Sequence, residues 1–222
     1  MPEEDASSDP RSPRDKSNLP VSLSYIIALG GNMFHADESR GAFVRSVVVQ
    51  LGREIGPVEA LSRLYRTPAF PAGSGEDFVN AALILRSDTD PETLLAQLHE
   101  VEHHFGRERK KRWGPRRLDL DLIAAGDCVL PDEATLKRWR DLPLDRQMKD
   151  SPDRLLLPHP RLQERAFVLV PVKDVAPGWR HPILGLTVTQ MCDALPPEAR
   201  AEVTPLPESA CLLAAKGLGV PF

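Results

Sequence analysis

The chain has 222 residues, enough for one domain with a sizeable core and short for two. Hydrophobic residues at 41% and charged residues at 27% are ordinary globular values, no stretch approaches a membrane span, and no charged-then-apolar signal segment opens the sequence. A net charge of −4 and a pI near 5.9 exclude a general attraction to nucleic acid or anionic lipid, and three widely separated cysteines read as free thiols in a reducing cytoplasm.

Residues 1–20, rich in Pro, Ser, Asp and Arg, are expected to form a disordered leader. Residues 21–29 (VSLSYIIAL) read as a buried strand that ends in Gly30-Gly31-Asn32, a turn signal that is neither a P-loop nor a dinucleotide fingerprint. Phe43, Val44, Val47, Val48 and Leu51 recur at helical spacing, so 38–55 is expected to be a helix, broken at Gly56-Pro57. A strand over 58–66 and a loop over 68–76 follow. Residues 77–85 (DFVNAALIL) form the next expected strand, where Asn80 stands in apolar company on the face of Phe78. That amide is either tied to neighbouring backbone or meets the polar edge of a flat heterocycle while Phe78 stacks on the ring.

Asp90-Pro91 marks a helix start, Leu94, Leu98, Val101 and Phe105 its buried stripe, and Gly106 its end. Within it His99-Glu100-Val101-Glu102-His103 fits both H-E-x-x-H and H-x-x-E-H, the patterns of zinc hydrolase helices. No third-ligand signature follows, and the helix runs straight into a cationic stretch that would disfavour Zn²⁺.

That stretch, GRERKKRWGPRRLDLDLI from Gly106 to Ile123, organises the chain. Seven cations stand against Glu108 alone between 107 and 117. On the strand that follows, Asp119 and Asp121 project from one face and Leu118, Leu120 and Leu122 from the other. Leucines belong in a core; an unpaired buried carboxylate is too costly there. Two neighbouring carboxylates repel each other, a hard divalent cation relieves the repulsion, and Mg²⁺ suits oxygen ligands. Cations beside such a site describe a polyphosphate pocket.

Residues 131–155 are charged and proline-punctuated and read as an insertion, in which Leu136, Trp139 and Leu142 could line a short helix. His159 lies between two prolines that restrict where its ring points, as a loop histidine or a preset phosphate donor. Short helices are expected over 166–175 and 187–195. A single domain over 21–196 then gives way to a surface tail over 197–222.

The series ALGGN, YRTP, FVNAAL, GRERKKRWGPRRLDLDLI and LPHPRLQERAFVLVP resembles the 6-hydroxymethyl-7,8-dihydropterin pyrophosphokinases of folate synthesis, over about 25–177. The resemblance implies an α+β, ferredoxin-like antiparallel sheet with helices packed on one face, here with a short C-terminal extension. It implies transfer of the β,γ-diphosphate of ATP to the pterin's hydroxymethyl group, release of AMP, and two Mg²⁺ ions held by Asp119 and Asp121. Phe78 and Phe167 would sandwich the pterin, with Asn80, Thr67 and Pro68 reading its edge. Arg107 and Arg116 would hold the β- and γ-phosphates, Arg109 and Trp113 would close over ATP, His159 and Arg165 would contact the phosphates from the far side, and His99 and Glu102 would lie near the nucleotide. The partners implied are ATP and the pterin, without nucleic acid or membrane, in a cytoplasmic monomer or weak dimer. A zinc hydrolase on the His99–His103 helix and a ferredoxin-like RNA-binding module are the competing readings.

Overall fold

The protein is described by a computed structural model covering residues 22–33, 39–69, 75–106, 117–143, 146 and 150–207. The leader expected at 1–20, residues 107–116 of the cationic stretch and residues 208–222 of the expected tail lie outside the described residues.

The chain begins β1 (Leu23–Gly31), α1 (Arg40–Glu54), β2 (Val58–Leu61), β3 (Tyr65–Thr67), β4 (Phe78–Ser87), α2 (Pro91–His104) and β5 (Asp119–Ala125). This is a βαββαβ unit with its second strand in two pieces, the ferredoxin-like order. The break falls at Ser62, whose N–H donates to Ala82 O at 2.8 Å while its Oγ accepts from Ala82 N–H at 2.9 Å. One residue thus takes both ladder bonds with backbone and side chain, and the strand expected over 58–66 divides there.

α1 starts at Ser39, whose side chain accepts from Ala42 N–H at 3.1 Å, and it buries Phe43, Val44, Val47, Val48 and Leu51. α2 starts at Asp90, which accepts from Thr93 N–H at 3.0 Å, and is followed by Gly106 at φ +86°. That left-handed turn favours glycine.

Among the described residues the sheet runs β5-β1-β4-β3-β6, where β6 is Thr204–Pro205, with β2 also on β4, and every pairing is antiparallel. α1 and α2 cover one face, burying Tyr25, Ile27, Leu29, Leu83, Leu85, Leu120 and Leu122 beneath them. After α3 (Glu133–Arg140) the chain returns as α4 (Ala166–Val175) and α5 (Val188–Ala194), and these pack on the opposite face against Ile26, Ala82 and Ile123. The expected layer of helices on one face is therefore joined by a second. The reason is visible in β1 and β4, which are apolar on both sides and must be covered twice.

α4 is anchored at its far end by Asp174. Its carboxylate accepts from Arg63 Nη2 at 2.8 Å and from Tyr65 Oη at 2.7 Å, which clamps the helix to the β2–β3 corner.

The chain beyond 196 was expected to trail along the surface. Instead α6 (Pro197–Ala201) leads into β6 (Thr204–Pro205), which pairs with β3 at the sheet edge. After β5, Leu130 pairs with Leu157 across the 131–155 insertion, with N–H···O distances of 2.9 and 3.2 Å. Within that insertion α3 buries Leu136 and leaves Trp139 partly covered.

Candidate active site

The second helical layer does not cover its whole face of the sheet. Leu118, Leu120 and Leu122 turn into the core under α1 and α2, so Asp119 and Asp121 turn to the other face, partly exposed. Strand register then fixes their neighbours. Asp119 lies opposite Gly30, Gly30 opposite Asn80, and Asn80 opposite Tyr65, a row across four strands. In the next row Asp121 lies opposite Ala28 and Ala28 opposite Ala82. With strands about 4.8 Å apart, roughly 10 Å separates the Asp119 backbone from that of Asn80. Between them the floor carries only Gly30 and Ala28.

Asn80 is 6% exposed and donates through Nδ2 to Thr67 Oγ1 at 2.8 Å. Its partner is thus a side chain 13 residues earlier, not neighbouring backbone. A Cβ added at Gly30 would meet Asn80 Oδ1 at 3.3 Å, so the amide oxygen leans over the bare floor. Phe78, opposite Thr67, is half-buried, and Pro68 is exposed at the rim. Asn32, read from sequence as part of a turn, is buried and donates to Glu76 O at 3.2 Å, tying the end of β1 to the approach to β4. Gly30 and Gly31 themselves belong to β1.

The other side of the floor is made by the start of α4. Arg165, its N-cap residue, sets Nη1 3.8 Å from Asp121 Oδ2 and lays its guanidinium over the Phe167 ring, 5.6 Å from the centroid. Phe167 is 40% exposed, unusual for a phenylalanine. The partial positive charge of a helix N-terminus adds to that of the guanidinium here. Burial lowers the Arg165 pKa, while Asp121 pulls it back up.

His159 donates its backbone N–H to Ile123 O at 2.8 Å, holding the Leu157–Arg161 loop against β5. Its Nδ1 accepts from Arg161 N–H at 3.1 Å, which assigns the proton of the neutral ring to Nε2. Burial, then the charges of Arg165 and Arg161, push its pKa down to about 3. The ring is therefore a neutral donor at physiological pH.

The carboxylate pair suits a hard cation. Among the described residues no group of three or more His, Cys, Asp or Glu is placed to hold a metal, so the two aspartates would share a cation with oxygens brought by a substrate. Mg²⁺ is commonly held in that way, by one or two carboxylates and substrate phosphates.

The sequence model of the 7,8-dihydro-6-hydroxymethylpterin-pyrophosphokinase family matches residues 26–177. The chain belongs to this family. It is 35% identical over 168 residues to the 2-amino-4-hydroxy-6-hydroxymethyldihydropteridine pyrophosphokinase of Synechocystis, covering 76% of this chain and 74% of that one. The enzyme of the same name from Methylorubrum extorquens is 33% identical, covering 68% of this chain and 81% of that one. A crystal structure of Plasmodium falciparum HPPK-DHPS shares the fold, with a TM-score of 0.57 at 13% identity, over 81% of this chain. This chain spans 45% of that longer protein.

In this member of the pyrophosphokinase family Glu102 and His99, expected near the nucleotide, both lie on α2. Glu102 is 0% exposed, and its Oε1 accepts from Leu120 N–H at 2.7 Å. His99 lies one turn earlier on α2, half-buried, on the helix that covers the opposite face from the aspartates. The same burial removes the H-x-x-E-H form of the zinc-hydrolase reading, because the acid that it requires is sealed under β5, whereas Glu100, the acid of H-E-x-x-H, is exposed. Arg107, Arg109, Trp113 and Arg116 lie outside the described residues. Arg117, the last of the cationic stretch, stands over the Phe43 ring at 5.3 Å and so packs on α1.

Proposed function

We propose that this chain transfers the β,γ-diphosphate of ATP to the hydroxymethyl group of 6-hydroxymethyl-7,8-dihydropterin and releases AMP. The observation that carries the reading is the row Asp119–Gly30–Asn80, which sets a cation-binding pair and a heterocycle-reading amide at two ends of one bare floor.

The pterin would lie on that floor between the rings of Phe78 and Phe167, its polar edge met by Asn80. Thr67 holds the Asn80 amide in one orientation, so recognition loses little side-chain entropy. The hydroxymethyl oxygen then approaches the β-phosphorus of ATP. A new O–P bond forms there, the bond from that phosphorus to the α,β-bridging oxygen breaks, and AMP departs with the bridging oxygen. The hydroxyl proton is lost to solvent or phosphate, and no protein nucleophile is required. Arg165 and the Nε2–H of His159 would donate to phosphate oxygens from the α4 side. Arg107 and Arg116 would hold the β- and γ-phosphates, with Arg109 and Trp113 closing over the nucleotide. Mg²⁺, two ions on this reading, would be held by Asp119 and Asp121 and would neutralise triphosphate charge while making the attacking hydroxyl more acidic.

The free thiols Cys128 and Cys192, and the absence among the described residues of any helix long and apolar enough to cross a membrane, support a cytoplasmic enzyme. The test is to supply ATP, Mg²⁺ and the hydroxymethyl pterin and to identify the nucleotide product. AMP is expected. ADP would mean that the transferred group is misassigned, and no nucleotide turnover would remove the activity.

A further inference from the structure

The acid in the H-x-x-E-H pattern has a different task. We infer that Glu102 is a positioning residue for the Asp119–Asp121 pair, acting through the backbone of the strand that bears them; this rests on the reading of that pair as magnesium ligands.

β5 is the last strand of the sheet on its side, so the backbone groups on its outer edge have no neighbouring strand among the described residues. Such an edge frays and twists unless something outside the sheet satisfies it. Two groups do so. The Glu102 carboxylate takes the N–H of Leu120, the residue between the two aspartates, at 2.7 Å. The His159 N–H takes Ile123 O at 2.8 Å. The two bonds fall on either side of Asp121, whose side chain meets Arg165 on the opposite, open face of the sheet.

The helix makes this possible. Glu102 stands four residues after Leu98 and eight after Leu94, so it continues the buried stripe of α2, and it is wholly buried. A buried carboxylate accepting from an N–H makes a charge-assisted bond, stronger than one from a neutral acceptor. Its hold on Leu120 fixes the pleat, and through the pleat the angle at which both aspartates leave the strand. Loss of such supporting bonds in metal sites weakens binding without removing a ligand.

The experiment is an Mn²⁺ titration followed by EPR, with Mn²⁺ standing for Mg²⁺, in the presence of α,β-methylene-ATP, on the parent protein, Glu102→Gln, Glu102→Leu and Asp121→Ala. Affinity for the analogue without metal is measured alongside. Glu102→Leu should weaken Mn²⁺ binding about tenfold or more, with metal-free analogue affinity unchanged. Glu102→Gln, whose amide oxygen can still accept from Leu120 N–H, should stay close to the parent. If Glu102→Leu does not fold, the Gln variant carries the test: parental Mn²⁺ affinity supports the inference, and a large loss overturns it. Unchanged Mn²⁺ affinity in folded Glu102→Leu, or a loss of metal-free analogue binding in either variant, also overturns it. If Asp121→Ala binds Mn²⁺ as the parent does, the magnesium reading itself fails, and that result is distinct from any failure at Glu102.

Discussion

Arg165 Nη1 lies 3.8 Å from Asp121 Oδ2, with the same guanidinium over the ring of Phe167. One cation therefore joins the carboxylate of β5 to the aromatic ring of α4, across the edge of the open floor. With a magnesium polyphosphate present, the guanidinium has phosphate oxygens to turn to in place of Asp121. Arg165→Ala should lower turnover about a hundredfold or more, the cost of one donor aimed at developing charge. Arg165→Lys should recover part of this, because an ammonium keeps the charge and loses the planar fork that stacks on the ring. AMP release at saturating ATP measures both, and parental turnover in Arg165→Ala would take this residue out of the chemistry.

Gly30 sets stability against function. A strand-interior glycine costs about 0.5–1 kcal/mol relative to alanine, so Gly30→Ala should leave the melting temperature unchanged or raise it. Yet the new Cβ would stand 3.3 Å from Asn80 Oδ1 and rise from the floor on which the proposed function lays a flat ring. We expect the pterin KM to rise about tenfold, equivalent to about 1.4 kcal/mol, with the KM for ATP unaltered. Steady-state kinetics with each substrate varied in turn checks this. A pterin KM equal to the parent's would mean that no ring rests on Gly30.

What could be read from the sequence follows a physical division. The alternation of Asp119 and Asp121 with Leu118, Leu120 and Leu122 fixed the face of each side chain, because a pleat allows no other assignment. Asp90 and Gly106 gave the ends of α2 through local capping chemistry that survives any tertiary context. Cross-strand partners are another matter. Nothing local to Gly30 says that Asp119 and Asn80 will flank it, since that depends on the register of three strands. Gly30-Gly31-Asn32 read as a turn for the same reason: the small residues that leave a floor clear are also those that turns use. Glu102 carried a usable signal, its place on the Leu94–Leu98 stripe, which marks a carboxylate headed for burial. The second helical layer was signalled too, by the lack of alternation in VSLSYIIAL and AALIL. The strand at 204–205 had no signal, being two residues long and held by its partner.

Thr67 tests whether Asn80 recognises ligand through a preset amide. Removing the hydroxyl with Thr67→Val leaves Asn80 Nδ2 without its bond at a site that is 6% exposed. A buried polar group stripped of its partner costs about 1–3 kcal/mol. Denaturant unfolding of Thr67→Val should show a loss in that range, with Thr67→Ser near the parent. Pterin affinity should fall in the Val variant and hold in the Ser variant. Equal pterin affinity in both would show that the amide finds its orientation from the ligand alone.

Two histidines, His181 buried and His159 half-buried, give the fold an acid limit. Burial, then nearby cations, lowers His159 to about 3, and burial, then Arg140, lowers His181 to about 4, from an ordinary value of 6.5. The folded chain thus refuses protons that the unfolded chain accepts. Stability from these groups is complete above pH 6.5 and is lost as pH falls from 6.5 towards the folded values, by up to about 1.4 kcal/mol per pH unit for each group. Unfolding at pH 7 and pH 5 should differ in that direction, and His181→Asn, which takes away one of the two groups, should shrink the difference. Ring proton shifts followed by NMR separate this from carboxylate titration. Neither ring should titrate near 6.5 in the folded protein, and one that does would be exposed enough to charge, which for His159 would replace a fixed neutral donor with a cation next to Arg165.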